Sequence, residues 1–277
     1  NDELFSISEK LAVILNSHHF SNNFRLITHL IHCIFLCMSK NANIRLFFVN
    51  QNICFKISEL IQLIQNNHRF CFYNWIVNSM KILSLISNQG TDEEIRILLE
   101  SNVLDSIFLS KHSFIDCPLV NTFEEKDQVD FYLSICDFVV GLLMKNDISI
   151  NSYLIESKII EQCCNVIHYG EMHRKFSIMK IIHAAVLIKN EVMLRVFLES
   201  NSLPIIFELM TSLDQSFLIF IIELIRNMMQ IMPQLKDYIK ETNFEECYSI
   251  LLDTLENQEI IDSLIALYTS IFTENSK

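Results

Sequence analysis

One short phrase recurs along this chain of 277 residues and constrains its fold more than any other feature. The phrase has an apolar pair, three or four polar residues, and then the start of a new amphipathic run. Its copies are FFVNQNICFKISELI (47–61), ILLESNVLDSIFL (97–109), YLIESKIIEQCCNVI (153–167), FLESNSLPIIFEL (197–209) and DYIKETNFEECYSILL (237–252). Anchored on Val49, Leu99, Ile155, Leu198 and Ile239, the copies are 50, 56, 43 and 41 residues apart. This period predicts a chain of repeated structural units, each buried mainly against its neighbours.

Glycine and proline are scarce, with three residues of each in the whole chain. Tight turns between strands need glycine, asparagine–glycine pairs or proline, so a sheet protein of this size would contain many more. The 51% of hydrophobic residues is enough for a large core and excludes a disordered chain. The composition therefore predicts an almost entirely helical protein.

A longer apolar segment precedes each copy of the phrase. These segments cover 24–40, 73–88, 131–146, 175–190 and 216–232, with apolar residues at the three- and four-residue steps of a mostly buried helix. A polar break follows each segment, and asparagine there is expected to end the helix in the left-handed conformation. The asparagines concerned are Asn41, Asn88, Asn146 and Asn190. A short helix such as EEIRILLES and a medium one such as VLDSIFLS then complete the unit.

The phrases ILLESNVLDSIFL and VFLESNSLPIIFELM resemble the junction between the first and second helices of armadillo repeats. Short, medium, long is also the helix order of that superfamily. The resemblance implies an all-α, right-handed α-α superhelix, or solenoid, of about five armadillo-type repeats with partial terminal repeats. Armadillo repeats usually have glycine at this junction, where this chain has Ser101–Asn102, Ser157–Lys158 or Ser200–Asn201. HEAT-like or mixed repeats therefore remain an alternative.

The repeats predict a single armadillo-like domain over residues 1–277. Its units are expected at about 3–23 (partial), 24–72, 73–130, 131–174, 175–215 and 216–277. The segment SKHSFIDCPLVNTFEEKDQVD (110–130) has no counterpart in the other units. We expect an insertion loop there, and unrepeated loops of this length on a rigid scaffold often carry function.

Polar residues recur at three- and four-residue steps on each long helix. The armadillo resemblance implies that the third helices line a concave groove, so stacking the units would join these residues into one surface. Such a surface suits an extended peptide or a helix of a partner protein. The candidate partner-binding residues are Arg25, His29, His32, Asn74, Asn78, Lys81, Ser134, Asp137, His173, Ser177, Lys180, Glu223 and Asn227.

The sequence carries no motif typical of catalysis or of a cofactor site. The patterns G-x-x-x-x-G-K-[ST], G-x-G-x-x-G and G-x-S-x-G are absent. His29, Cys33 and Cys37 share one helix face, but His29 and Cys37 lie about 12 Å apart by helical rise and cannot bind one ion. We therefore expect no enzymatic activity, no cofactor and no metal site.

The net charge of −12 disfavours general binding to nucleic acids or anionic membranes, because those partners need clustered cations. Two very apolar segments, 26–38 and 217–232, contain ionisable residues and are shorter than the roughly 20 residues that span a bilayer. Nine cysteines without paired spacing indicate reduced thiols. We expect an intracellular protein, cytoplasmic or alternatively nuclear.

These observations favour a non-catalytic scaffold or adaptor subunit that binds a partner protein or peptide along the concave groove, within a larger complex. The alternative is a regulatory subunit of an enzyme complex, for example of a protein phosphatase or an mRNA deadenylase, that acts through residues 110–130. Nuclear-import receptors of this superfamily carry Trp-x-x-x-Asn arrays. Here Trp75 is the only tryptophan and Ser79 stands four residues after it, so the chain does not match that class.

Overall fold

The computed structural model describes residues 2–17, 24–66, 73–109, 125–211 and 215–273. In these ranges the regular structure is helical, without a strand. The α-helices are α1 Asp2–Leu15, α2 Phe24–Lys40, α3 Ala42–Asn50, α4 Ile53–Asn66, α5 Tyr73–Gln89, α6 Asp92–Glu100, α7 Glu125–Met144, α8 Ile148–Glu156, α9 Ile159–Tyr169, α10 Met172–Leu187, α11 Glu191–Glu199, α12 Leu203–Met210, α13 Gln215–Ile231, α14 Leu235–Lys240, α15 Phe244–Thr254 and α16 Gln258–Phe272. A π-helical turn, Asp105–Leu109, lies between α6 and α7.

From α3 onward the helices form triplets, each with two shorter elements followed by a long helix. The first triplet is α3, α4 and α5, and the last is α14, α15 and α16. In the second triplet the middle element is the short helical segment 103–109, which ends in the π-helical turn. The prediction of an all-α repeat fold is confirmed.

The repeated phrase forms the joint between the first two helices of a triplet. At four of these joints a residue adopts the left-handed conformation, and at the first of them it is Asn52, with φ of 62°. At the other three a serine precedes this residue, and φ is 56° at Asn102, 55° at Lys158 and 56° at Asn201. The serine before it donates its hydroxyl hydrogen bond to the carbonyl oxygen three residues earlier, at 2.6 Å for Ser101, 3.0 Å for Ser157 and 2.6 Å for Ser200. The serine hydroxyl thus pairs with a carbonyl in the last turn of the helix, and the next residue makes the turn that glycine makes more easily.

The asparagines expected to end the long helices do so at Asn146, where φ is 51°. The prediction was wrong at the other three positions. Asn41 and Asn190 instead cap the start of α3 and α11, where their side-chain oxygens accept from free backbone N–H groups. Asn88 lies within α5. Asparagine between two helices is at least as well suited to capping the second helix as to ending the first.

Residues 125–130, which were predicted to belong to an insertion loop, form the first turns of α7. Acidic residues in the sequence EEKD favour a helix start, since carboxylates are stabilised by the N-terminal end of the helix dipole. The loop prediction was therefore wrong for 125–130. Residues 110–124 lie outside the described residues.

The described residues form two compact units. Unit 1 comprises the chain up to Ile159 together with Met172–Lys180, and unit 2 comprises Ile160–Glu171 and the chain from Ile181 onward. In unit 1, α5 packs against both α2 and α7, and Trp75 and Phe131 are fully buried. In unit 2, α13 packs against α16 and α12 against α15, and the fully buried side chains include Phe207.

Candidate functional site

An open cavity of about 550 Å³ lies in unit 1 among the long helices α2, α5 and α7. We call it the trough. Because α5 packs against both neighbouring long helices, residues that share one face of these three helices meet in a single surface. The trough is lined by Phe35, Lys81, Ser84, Leu85, Asn88, Gln89, Asp130, Leu133, Ser134, Asp137 and Val140.

Polar side chains link successive long helices along this surface. Lys81 Nζ on α5 lies 3.2 Å from Asp130 Oδ2 on α7. Asp137 Oδ1 on α7 lies 3.8 Å from Lys180 Nζ near the middle of α10. All four side chains are about a third to a half exposed, so these pairs add little to the free energy of unfolding.

Two further polar contacts, each made by an asparagine side chain of α5, join successive long helices. The side chains of His32 on α2 and Asn78 on α5 lie within hydrogen-bond distance, with 3.4 Å between His32 Nδ1 and Asn78 Oδ1. Asn88 Nδ2 on α5 donates to the backbone carbonyl of Asp137 at 3.0 Å. These contacts join α2 to α5 and α5 to α7 at the exposed side of the helices.

Four of the residues that line the trough are apolar, and we call them its floor. Phe35, Leu85, Leu133 and Val140 are each half-buried, so part of every side chain remains available for contact. An apolar floor between polar side chains is the arrangement expected of a surface that buries a partner's side chains while the rim fixes its orientation.

The structure brings six of the sequence-predicted residues together in unit 1. Lys81, Ser134 and Asp137 line the trough. His32 and Asn78 contact each other, and Lys180 contacts Asp137. Arg25, His29 and Asn74 are exposed on α2 and α5, nearer the helix N-termini. Ser177 is buried, and Ser134 lines the trough with its hydroxyl donating to the carbonyl of Asp130 at 2.7 Å.

Three predicted residues lie elsewhere or cannot be placed. The side chain of His173 lies outside the described residues. Glu223 is exposed on α13 in unit 2. Asn227, also on α13, lines a recess of about 310 Å³ together with Leu187, Lys189 and Gln230.

The apolar floor, Asn88 and Asp130 were not predicted from the sequence as parts of a binding surface. Leu85 and Asn88 continue the stripe of Asn78 and Lys81 at the same steps, so helical spacing could have found them. Asp130 fell within the predicted loop and was not assigned to a helix face. The other floor residues, Phe35, Leu133 and Val140, have no distinguishing signal, because apolar residues on these helices are mostly core.

His183, on the second half of α10, is a further titratable group of unit 2. Its ring meets Phe220 of α13 edge to face, with 5.0 Å between centroids. Burial lowers the pKa of His183, and the nearby carboxylate of Glu223 opposes this shift. The imidazole is therefore neutral at pH 7, and it packs as an aromatic group.

Among the described residues, no group of three or more His, Cys, Asp or Glu side chains converges closely enough to hold a metal ion. Cys33 is exposed on α2, whereas Cys37 is buried and its burial raises the pKa of the thiol. None of the helices in the described ranges has the length and apolar character needed to cross a membrane.

No family model and no curated protein matches the chain. Solved structures of designed armadillo repeat proteins do match its fold. The designed protein YIII(Dq)4CqI has a TM-score of 0.66 at 12% identity, over 95% of this chain and 98% of the designed chain. A second designed armadillo repeat protein, solved in complex with the peptide (KR)4, has a TM-score of 0.68 at 12% identity, over 95% and 98% of the two chains.

A third match is to computationally designed armadillo repeat proteins for modular peptide recognition, with a TM-score of 0.68 at 12% identity over 94% of this chain and 98% of that chain. The fold of this chain is therefore that of armadillo repeat proteins. The resemblance stated from the sequence is confirmed at the level of the fold.

Proposed function

We propose that this chain is a non-catalytic protein-binding scaffold or adaptor, which holds a peptide or helical segment of a partner protein in the trough of unit 1. The observation that carries this proposal is the trough itself. It is about 550 Å³ in volume, with half-buried apolar residues on its floor and polar side chains around them.

The chemistry of the trough suits a segment of mixed character. Apolar side chains of a partner would pack against Leu85 and Leu133. The apolar surface that this contact buries would supply most of the affinity. Lys81 and Asp130 offer both signs of charge at one edge, so a partner's charged groups can exchange with the existing pair at small cost. A segment with apolar residues flanked by charges of both signs matches the charged groups of the lining, which are Lys81, Asp130 and Asp137.

Two of the matched structures support peptide binding by this fold, one solved with a bound (KR)4 peptide and one described as designed for modular peptide recognition. The regulatory-subunit alternative depends on the unrepeated segment, of which residues 110–124 lie outside the described residues. It remains a prediction, and the trough is the better-supported site.

The proposal is tested by placing a charge on the trough floor. Leu133→Glu should reduce co-purification of the partner from a cell extract at least about tenfold. The reason is that the partner would have to bury the new carboxylate against an apolar surface without a counter-ion, which costs free energy. Quantitative mass spectrometry of the captured proteins measures this. The matched control is Ile250→Glu, the same kind of change at an apolar residue of α15 that is 44% exposed.

Both variants should keep the circular dichroism spectrum and melting temperature of the wild type. If the folded Leu133→Glu variant retains all the partners that the control retains, the trough is not the binding site.

A further inference from the structure

A second recess, in unit 2, differs in charge from the rest of the chain. It has a volume of about 310 Å³ and is lined by Arg226, Met229 and Gln230 of α13, Lys236 of α14 and Ser270 of α16. We call it the basic recess. Two of these five residues are cations and none is an anion, although the chain as a whole carries a net charge of −12.

The two cations lack local counter-ions. In the part of the chain that the structure describes, neither Arg226 nor Lys236 is within 4.0 Å of a carboxylate. Arg226 Nη2 donates to the backbone carbonyl of Ser263 on α16 at 2.6 Å, which fixes the guanidinium. A guanidinium has five N–H groups, so this bond leaves donors for a ligand.

The remaining lining groups and the volume of the recess limit which ligands can bind there. The Gln230 side chain is exposed and can donate, whereas the Ser270 hydroxyl already donates to the carbonyl of Leu267 at 2.7 Å. Met229 supplies an apolar wall beside the cations. The volume lies at the lower end of the range for small-molecule sites and exceeds what a bare oxyanion needs.

Two cations on one recess are neutralised best by a ligand group with two negative charges. A phosphate monoester carries about −1.5 to −2 charges at pH 7. Its oxygens match the forked donors of arginine, and the ammonium of lysine acts as a point charge beside them. A carboxylate supplies only one charge and would leave a net positive recess.

We propose that the basic recess binds the phosphate group of a small phosphorylated molecule, whose organic part lies against Met229. The proposal uses residues outside the trough and holds whether or not the trough binds a partner.

The test uses phenyl phosphate as the probe and the methyl signal of Met229 as the reporter. The full chain is labelled with methyl-¹³C methionine, and the Met229 signal is assigned by its loss in Met229→Leu. We expect the signal to move and saturate during titration at low salt, and the affinity to weaken as salt is added. Affinity should fall about tenfold in Arg226→Gln and about fivefold in Lys236→Gln.

The matched control is Lys240→Gln, because Lys240 lies on the same short helix but is 3.5 Å from Asp237 and does not line the recess. This variant should bind as tightly as the wild type. Arg226→Gln also loses the bond to Ser263, so Lys236→Gln decides the test if the arginine variant does not fold.

Two further probes identify the ligand group. Benzoate, with one charge, and inorganic phosphate, without an apolar group, should both bind more weakly than phenyl phosphate. Equal or tighter binding of benzoate would overturn the assignment to phosphate, and equal binding of inorganic phosphate would overturn the assignment to an ester. A Met229 signal that does not move, or an unchanged affinity in Lys236→Gln, would overturn the site itself.

Discussion

Arg45 and Glu94 form a buried ion pair between the first helices of two successive triplets. Arg45 Nε lies 2.9 Å from Glu94 Oε1, and Arg45 Nη2 also donates to the carbonyl of Gln89 at 2.8 Å. Glu94 closes a capping box by accepting from the backbone N–H of Thr91 at 2.7 Å. Arg45 is 5% exposed and Glu94 is 0% exposed. Each charge is therefore stable in the protein interior only with the other as its counter-ion.

Neutralising one partner of this pair should therefore destabilise unit 1. Glu94→Gln leaves the Arg45 charge buried without a counter-ion. It also places an amide N–H₂ group next to the N–H donors of Arg45. We expect the free energy of unfolding to fall by about 3 kcal/mol. Urea titration followed by circular dichroism measures the change.

Arg96→Gln is the matched control, because the Arg96–Glu100 pair is 3.8 Å long and more than half exposed. It should change the free energy of unfolding by less than about 0.5 kcal/mol. Equal effects of the two substitutions would show that the buried pair adds nothing beyond a surface pair.

Contacts of this kind could not be foreseen from the sequence. Arg45 and Glu94 are 49 residues apart, as are Lys81 and Asp130, and no local pattern pairs them. They become neighbours only when consecutive triplets stack, and the packing of the long helices sets the register of that stacking. The same reasoning applies to Asp130, whose role in the trough depended on α7 starting before it.

At the scale of elements, the joint between the first two helices of a triplet is the part that recurs. Lys158 occupies the left-handed position of its joint with φ of 55° and is exposed. A side chain with a Cβ atom is disfavoured in this conformation by roughly 1 kcal/mol or more, whereas glycine adopts it freely.

Lys158→Gly should therefore raise the free energy of unfolding by about 1 kcal/mol, after allowance for the extra freedom of glycine in the unfolded chain. Denaturant midpoints measure the gain. Lys158→Ala is the control, since it removes the same exposed side chain but keeps the Cβ, and it should give no gain. Stabilisation by alanine and glycine alike would trace the effect to the lysine side chain rather than to the backbone.

The helices themselves were predictable, but their ends were less so. Apolar steps of three and four residues identified each long helix, because burial of one face imposes that spacing. The ends depend on which hydrogen bond a polar side chain makes. Asn41 and Asn190 cap the following helices, a choice that composition alone does not decide.

For the whole molecule, the period of the sequence was sufficient to predict the fold. Proteins only 12% identical match its structure over about 95% of the chain, because repeat architecture depends on where apolar residues recur rather than on which residues they are. That the two compact units make one domain remains a prediction. Of the residues that line the trough, only Lys81, Ser134 and Asp137 were named from the sequence, and its floor was missed because it consists of apolar residues that packing leaves half-exposed.

The central claim is that the trough of unit 1 holds the partner, and site-specific photo-crosslinking tests it most directly. A benzophenone amino acid replaces Leu85 on the trough floor in one version of the chain. In a second version it replaces Ile148, which is 83% exposed at the start of α8 and outside the trough. After irradiation with the bound partner, we expect a covalent adduct from position 85 and none from position 148. An adduct from position 148 alone, with a folded and uncrosslinked position 85, would contradict the account.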